Sequence, residues 1–298
     1  MLLAAMAFLV AGCSIADSEA TSTVPAEGIY ISIGDSYAAG SQPARSGRLE
    51  TTRNGFAYLI ESRVAAAGGH LKLLNFGCSG ATSTSVLTHV GCDQAALGPA
   101  AAPYSISTQI DAVVAAISQN RSKVRLITIV IGGNDINACL PPSSVELTDG
   151  DAACLEAAIV TLSANLRELL GRIRGVAGPE IQILGLTYPN FYLGAWLLGN
   201  DAAKKLAEAS IPFFRDRLNP LLQDEYTRAQ ASFADITEAS GGYGPFGPTT
   251  DMTPYGVIPT PVAQICTLTN YCALGDPHPT DEGYEFIADQ VMKATQLT

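Results

Sequence analysis

The run Val124-Arg125-Leu126-Ile127-Thr128-Ile129-Val130-Ile131 constrains this chain more than any other stretch. It alternates too little to present one wet face, so it reads as a strand covered on both sides, the kind found in the middle of a parallel sheet. Parallel strands need crossover connections, and the sequence supplies them. Residues 29–33, 71–76, 180–186 and 231–236 are further short apolar runs. Residues 55–68, 106–119, 152–174 and 202–229 carry apolar side chains at helical spacing, the last with Pro212 as an expected interruption. Residues 281–296 close the chain as an amphipathic helix through Phe286, Ile287 and Val291. Strand alternating with helix five times predicts one α/β domain, a flavodoxin-like three-layer α/β/α sandwich on a five-stranded parallel sheet. Residues 83–104 and 241–261, small, polar or rich in Gly and Pro, are expected to be irregular.

The 298 residues are 47% hydrophobic and 15% charged, enough to bury a large core in residues 28–298. A net charge of -11 with scattered Lys and Arg excludes a nucleic-acid surface, which needs clustered cations. Residues 1–12 are uncharged, apolar and too short to span a bilayer, and Val10-Ala11-Gly12-Cys13 ends them like a bacterial lipobox, although no Lys or Arg precedes the run. We therefore expect a lipoprotein signal peptide over 1–12, lipidation of Cys13, a polar tether over 13–27 and an extracytoplasmic, membrane-anchored or secreted monomer. Six cysteines remain, and their grouping into local couples favours the disulfides Cys78–Cys92, Cys139–Cys154 and Cys266–Cys272. A zinc site fails on spacing, since no C-x-x-C occurs. No metal or other cofactor is expected.

In a parallel sheet all strand carboxyl ends lie on one rim, where open α/β folds bind ligands. That rim receives Gly34-Asp35-Ser36-Tyr37 from the first strand, Gly77-Cys78-Ser79-Gly80 from the second and Gly132-Gly133-Asn134-Asp135 from the third. A hydroxyl, a glycine turn and an amide thus converge although they are remote in sequence. Acyl transfer needs a nucleophile, a base and donors for the oxyanion, so Ser36 can attack while the Ser36 and Gly80 N–H groups and the Asn134 amide receive the charge. Of three histidines, His70 precedes a strand and so falls on the opposite rim, and His89 sits in a loop. His278, between Pro277 and Pro279 and ahead of the last helix, is the expected base, with Asp276 to orient its ring. Asp35 and Asp135 read as turn residues that bond nearby N–H groups rather than as metal or glycosidase carboxylates.

Four blocks, Gly34 to Tyr37, Asn75 to Thr82, Gly132 to Asp135 and Asp276 to Pro279, together resemble the GDSL or SGNH hydrolase family, in family order. The resemblance implies Ser36 as nucleophile, Gly80 and Asn134 as oxyanion donors and His278 as base. The three cysteine couples further resemble secreted actinobacterial esterases and lipases of that family. One departure stands: the family aspartate lies three residues before the histidine, where this chain has Gly275, so either Asp276 serves from a shifted position or a main-chain carbonyl near Gly275 orients a Ser–His dyad. The G-x-S-x-G elbow of the α/β-hydrolase fold is missing, because Ala38 occupies its second glycine.

The expected function is a serine esterase or lipase working through an acyl-enzyme on Ser36, its ester substrate lipid-like. The aromatic segment Tyr188, Phe191, Tyr192, Trp196 and Leu197 would then line an acyl pocket, or else simply pack beneath the next helix. A carbohydrate O-acetyl esterase on the same residues, and a non-catalytic lipid-binding lipoprotein, are the alternatives.

Overall fold

The computed structural model describes residues 27–140, 148–295 and 297. The expected signal peptide, Cys13 and most of the tether lie outside them; Glu27, its last residue, already belongs to the first strand.

Strand β1 (Glu27–Gly34) runs into the single turn α1 (Ser36–Ala39) and a small hairpin, β2 (Ser41–Pro43) with β3 (Leu49–Thr51). Helix α2 (Phe56–Ala66), strand β4 (His70–Asn75), α3 (Ser83–Thr88) and α4 (Gln109–Asn120) follow. Strand β5 (Val124–Val130) leads through α5 (Gly133–Asn137) to the long α6 (Asp149–Ala177). Then come β6 (Gln182–Leu186), a 3₁₀ segment over Phe191–Leu198, α7 (Asp201–Phe213) and α8 (Asn219–Arg228). Strand β7 (Ser232–Ala234) and the turn α9 (Ile236–Ala239) precede a second hairpin, β8 (Thr249–Met252) with β9 (Gly256–Pro259). Helices α10 (Thr260–Leu268), α11 (Tyr271–Leu274) and α12 (Asp281–Ala294) complete the chain.

The central sheet has the order β4-β1-β5-β6-β7, all parallel, with α2 and α12 on one face and α4, α6 and α8 on the other. It is the α/β sandwich expected. Alternation along β1 and β5 explains why both runs are apolar: Ile29, Ile31, Ile33, Ile127 and Ile129 pack under α4 and α6, while Tyr30, Leu126 and Val130 pack under α2 and α12. On the second face the Tyr30 hydroxyl is satisfied by Thr128 Oγ1 at 2.8 Å, so two polar groups in adjacent strands cost little.

Two expectations need correction. Residues 83–104 contain α3, whose Thr82 caps Ser85 in a reciprocal capping box, and residues 241–261 contain the β8–β9 hairpin and the start of α10. The interruption expected at Pro212 falls one step later, as a π turn over Phe214–Leu218. The three local disulfides are formed. They close loops at the rim formed by the strands' carboxyl ends: Cys78 follows β4, Cys139 follows α5, and Cys266 and Cys272 bracket the turn before residue 276.

Candidate active site

Ser36 is the first residue of α1, directly beyond β1, and is 7% exposed. Gly34 makes this exit possible. Its φ is +142°, and a Cβ there would stand 1.9 Å from the Val130 carbonyl oxygen, so the serine turn can be pressed against β5 only with glycine. Gln109 of α4 fixes the same residue, accepting from Gly34 N at 3.2 Å and donating to Gly34 O at 3.0 Å.

Asp35 caps α1, with Oδ1 accepting from Tyr37 N at 3.0 Å, while Oδ2 accepts from the Tyr188 hydroxyl at 2.6 Å. The same hydroxyl accepts from Gly133 N at 3.1 Å. Tyr188 thus joins the Ser36 turn to the Asn134 turn through one buried oxygen. Burial raises the Asp35 carboxyl to about 6, against the pull of its bonds to Tyr188 and Tyr37 and of the His278 charge. Burial also pushes the Tyr188 hydroxyl well up, reinforced by the Asp35 charge, so it remains a donor.

Asn134, in the first turn of α5, donates through Nδ2 to Ala81 O at 2.8 Å, which ties it to the glycine turn after β4. An amide nitrogen carries two protons, so one is left for a ligand. Gly80 has φ +85°, a left-handed position that favours glycine, and its N–H has no protein acceptor among the described residues. Asp135 accepts from Ser83 N at 2.9 Å and Ser83 Oγ at 2.6 Å, and burial, named first among its causes, raises its carboxyl. That is a structural turn contact.

The segment carrying His278 is held by its carbonyls. Tyr37 Oη donates to Pro277 O at 2.7 Å, Asn270 N and Nδ2 donate to His278 O at 2.9 and 3.1 Å, and Asn270 Nδ2 and Gln42 Nε2 donate to Pro279 O at 3.0 and 3.2 Å. Three successive acceptors are therefore fixed, one of them from the residue next to Ser36. The Tyr37 and His278 rings lie 6.1 Å apart. His278 Nδ1 pairs with Asp276 Oδ1 at 2.7 Å, and His278 N donates to the same oxygen at 2.8 Å. Partial burial opposes ionisation of Asp276, but the His278 ring bond, its charge and the backbone N–H outweigh it and hold the carboxyl below its usual range. The two-residue spacing closes this local ring of bonds. Among the described residues no hydrogen bond yet joins the Ser36 hydroxyl to the imidazole; such contacts often tighten only with substrate.

His70 begins β4 on the far rim, and His89 lies exposed after α3, beside Gly80. Gly80, Ser79, Ser85, His89 and Asp93 share a cavity of about 300 Å³ with Ala81, Ala96 and the Cys78–Cys92 bridge, next to the expected oxyanion donor. The aromatic segment turns inward. Tyr188, Phe191 and Tyr192 are buried, the last donating to Asn137 Oδ1 at 3.0 Å, and Trp196 lies under Lys204. The purely apolar cavity behind Asn134, walled by Ile136, Leu140, Tyr192 and Phe214, measures only about 50 Å³. These residues form core rather than the wall of a long acyl pocket. Sequence reasoning missed Tyr188 as a link, Gln109, and Asn270; only their neighbours carried a motif. No group of three or more His, Cys, Asp or Glu positioned to hold a metal occurs among the described residues.

Residues 32–286 match the model of the GDSL-like lipase/acylhydrolase family. No curated protein sequence matches the chain. Among solved structures, an extracellular lipase from Streptomyces rimosus is 20% identical, with 90% of this chain and 100% of that one covered at a TM-score of 0.56. A lipase from a goat rumen metagenome is 15% identical over 91% and 99% of the two chains at 0.53. A variant of an acetyl-xylooligosaccharide esterase from Geobacillus is 14% identical over 92% and 96% at 0.52. At these identities the likeness is one of fold.

Proposed function

We propose a mechanism and a substrate class for this chain, which belongs to the GDSL-like lipase/acylhydrolase family and is a carboxylic ester hydrolase. Ser36 Oγ attacks the ester carbonyl as His278 takes its proton. The tetrahedral oxyanion is received by the Ser36 and Gly80 N–H groups and the free Asn134 amide proton. His278 then gives the proton to the departing alkoxide, and water, activated by the same imidazole, hydrolyses the acyl-enzyme and restores Ser36. Asp276 fixes the ring with Nδ1 protonated, so that Nε2 is the basic nitrogen, and stabilises the imidazolium. The observation that carries this reading is the Asp276–His278 pair on a segment bonded to Tyr37, one residue from the buried Ser36.

The acyl group we infer is short. An apolar cavity of about 50 Å³ holds little more than one or two waters' worth of volume, far below an ordinary ligand pocket. The cavity beside Gly80, where Ser79, Ser85, His89 and Asp93 offer hydrogen-bonding groups, suits the hydroxyl-rich side of an ester, which favours the carbohydrate O-acetyl esterase over the lipase within the same chemistry. Three disulfides fit an extracytoplasmic protein, and the lipid anchor at Cys13 belongs to this proposal. The test is hydrolysis of nitrophenyl acetate, butyrate and palmitate and of acetylated xylan. The reading expects acetyl esters to be fastest and Ser36→Ala and His278→Ala to lose activity; full activity in either variant, or a preference for palmitate, contradicts it.

A further inference from the structure

A cleft of about 440 Å³ opens on the rim opposite the active site, at the amino ends of β1, β4 and β5. His70, Lys72, Lys123 and Arg125 line it with Asn120, Gly28 and Ile29. This is notable in a chain of net charge -11. Lys72 and Lys123 are exposed and make no ion pair among the described residues, and Arg125 donates to Ser122 O at 2.9 Å. Asp93, Asp135, Asp276 and Asp281 lie around the active-site rim, with Arg45 beside Asp281.

The chain's amino-terminal segment joins the domain at the basic rim. Glu27 opens β1 and Gly28 lines the cleft, and Cys13, the expected lipidation site, precedes Glu27 by 14 residues. Extended, that length reaches at most about 50 Å. A lipid at Cys13 would therefore bring the basic rim within reach of the bilayer.

We propose that this cleft docks on the phosphate headgroups of an anionic membrane, the one to which Cys13 tethers the chain. The active-site rim then faces away, at least the eight-residue length of β1, or about 26 Å, from the lipid surface. Resting on the ester-hydrolase reading, the orientation implies substrates presented outside that bilayer, such as acylated polymers, rather than lipids within it.

The experiment uses the full chain carrying Cys13→Ser, so that no lipid is attached, and co-sedimentation with phosphatidylcholine vesicles with and without phosphatidylglycerol. At about fivefold per neutralised cation, the double variant Lys72→Gln/Lys123→Gln is expected to lose about 30-fold in partitioning to anionic vesicles, with no change on neutral ones. Added salt should weaken the parent's binding in the same way. Equal binding to both vesicle types, or no loss in the double variant, overturns the proposal. Displacement from the vesicles by millimolar inorganic phosphate at constant ionic strength also overturns it, assigning the cleft to a soluble anion. Nitrophenyl acetate hydrolysis in solution is expected to be unchanged in the double variant; its absence from the parent as well would fault the catalytic reading and leave the docking result standing.

Discussion

Replacing Tyr188 by Phe removes one oxygen that serves two turns. The hydroxyl donates to Asp35 Oδ2 at 2.6 Å and accepts from Gly133 N at 3.1 Å. A hydrogen bond to a buried carboxylate contributes about 2 kcal/mol, and the stranded Gly133 N–H adds about 1, so the variant is expected to be less stable by about 3 kcal/mol at pH 8.5. The Asp35 carboxyl titrates near 6 in the folded protein, above its ordinary range. The folded state therefore holds that proton more tightly than the unfolded one, and the parent's stability falls as pH rises from about 4 to about 6. Since the Tyr188 bond favours the ionised form, its loss lifts the Asp35 value further, and the variant's decline continues to higher pH than the parent's. Below pH 5 the carboxyl is protonated in both proteins and the difference shrinks to about 1 kcal/mol. Urea denaturation of parent and variant from pH 4.5 to 8.5 reads this directly. A destabilisation constant across that range would refute the Asp35 linkage. In the same variant kcat is expected to fall by about 10-fold to 100-fold with little change in KM, because the Ser36 and Asn134 turns lose their common partner.

Other substitutions separate positioning from support. Asp276→Asn keeps the shape but favours the wrong imidazole tautomer, and a fall in kcat of about 10² or more is expected; an unchanged rate would show that the backbone alone orients His278. Gly34→Ala places a methyl against the Val130 carbonyl, and a loss of about 4 kcal/mol or failure to fold is expected in thermal unfolding. Removing the Cys139–Cys154 bridge with a double Ser variant should cost about 3 kcal/mol by loop entropy, measured by urea midpoint.

The sheet could be read from the chain because its central strands are covered on both faces, which forces the apolar runs at 29–33 and 124–131. The hairpins could not. Ser41–Pro43 and Thr249–Met252 are short and polar, and each depends on its partner strand rather than on a hydrophobic period. Topology alone brings the motif turns of Ser36, Gly80 and Asn134 to one rim, whereas His278 is singled out by elimination among three histidines. Tyr188 carried no such signal, since a tyrosine in an aromatic run looks the same whether it packs or bonds. Its apolar neighbours read equally as an acyl wall or as packing beneath the next helix, and Phe191 and Tyr192 fill the core behind α5. Spacing leaves the role of Asp276 ambiguous, whereas its Oδ1 bonds both the ring Nδ1 and the backbone N of His278.

A fluorophosphonate resembles the tetrahedral intermediate and is trapped only by a serine that a base has activated. After reaction, peptide mass mapping is expected to find one adduct, on Ser36, with labelling suppressed in His278→Ala. An adduct on another residue, or ester hydrolysis that persists while Ser36 stays unlabelled, would contradict the mechanism.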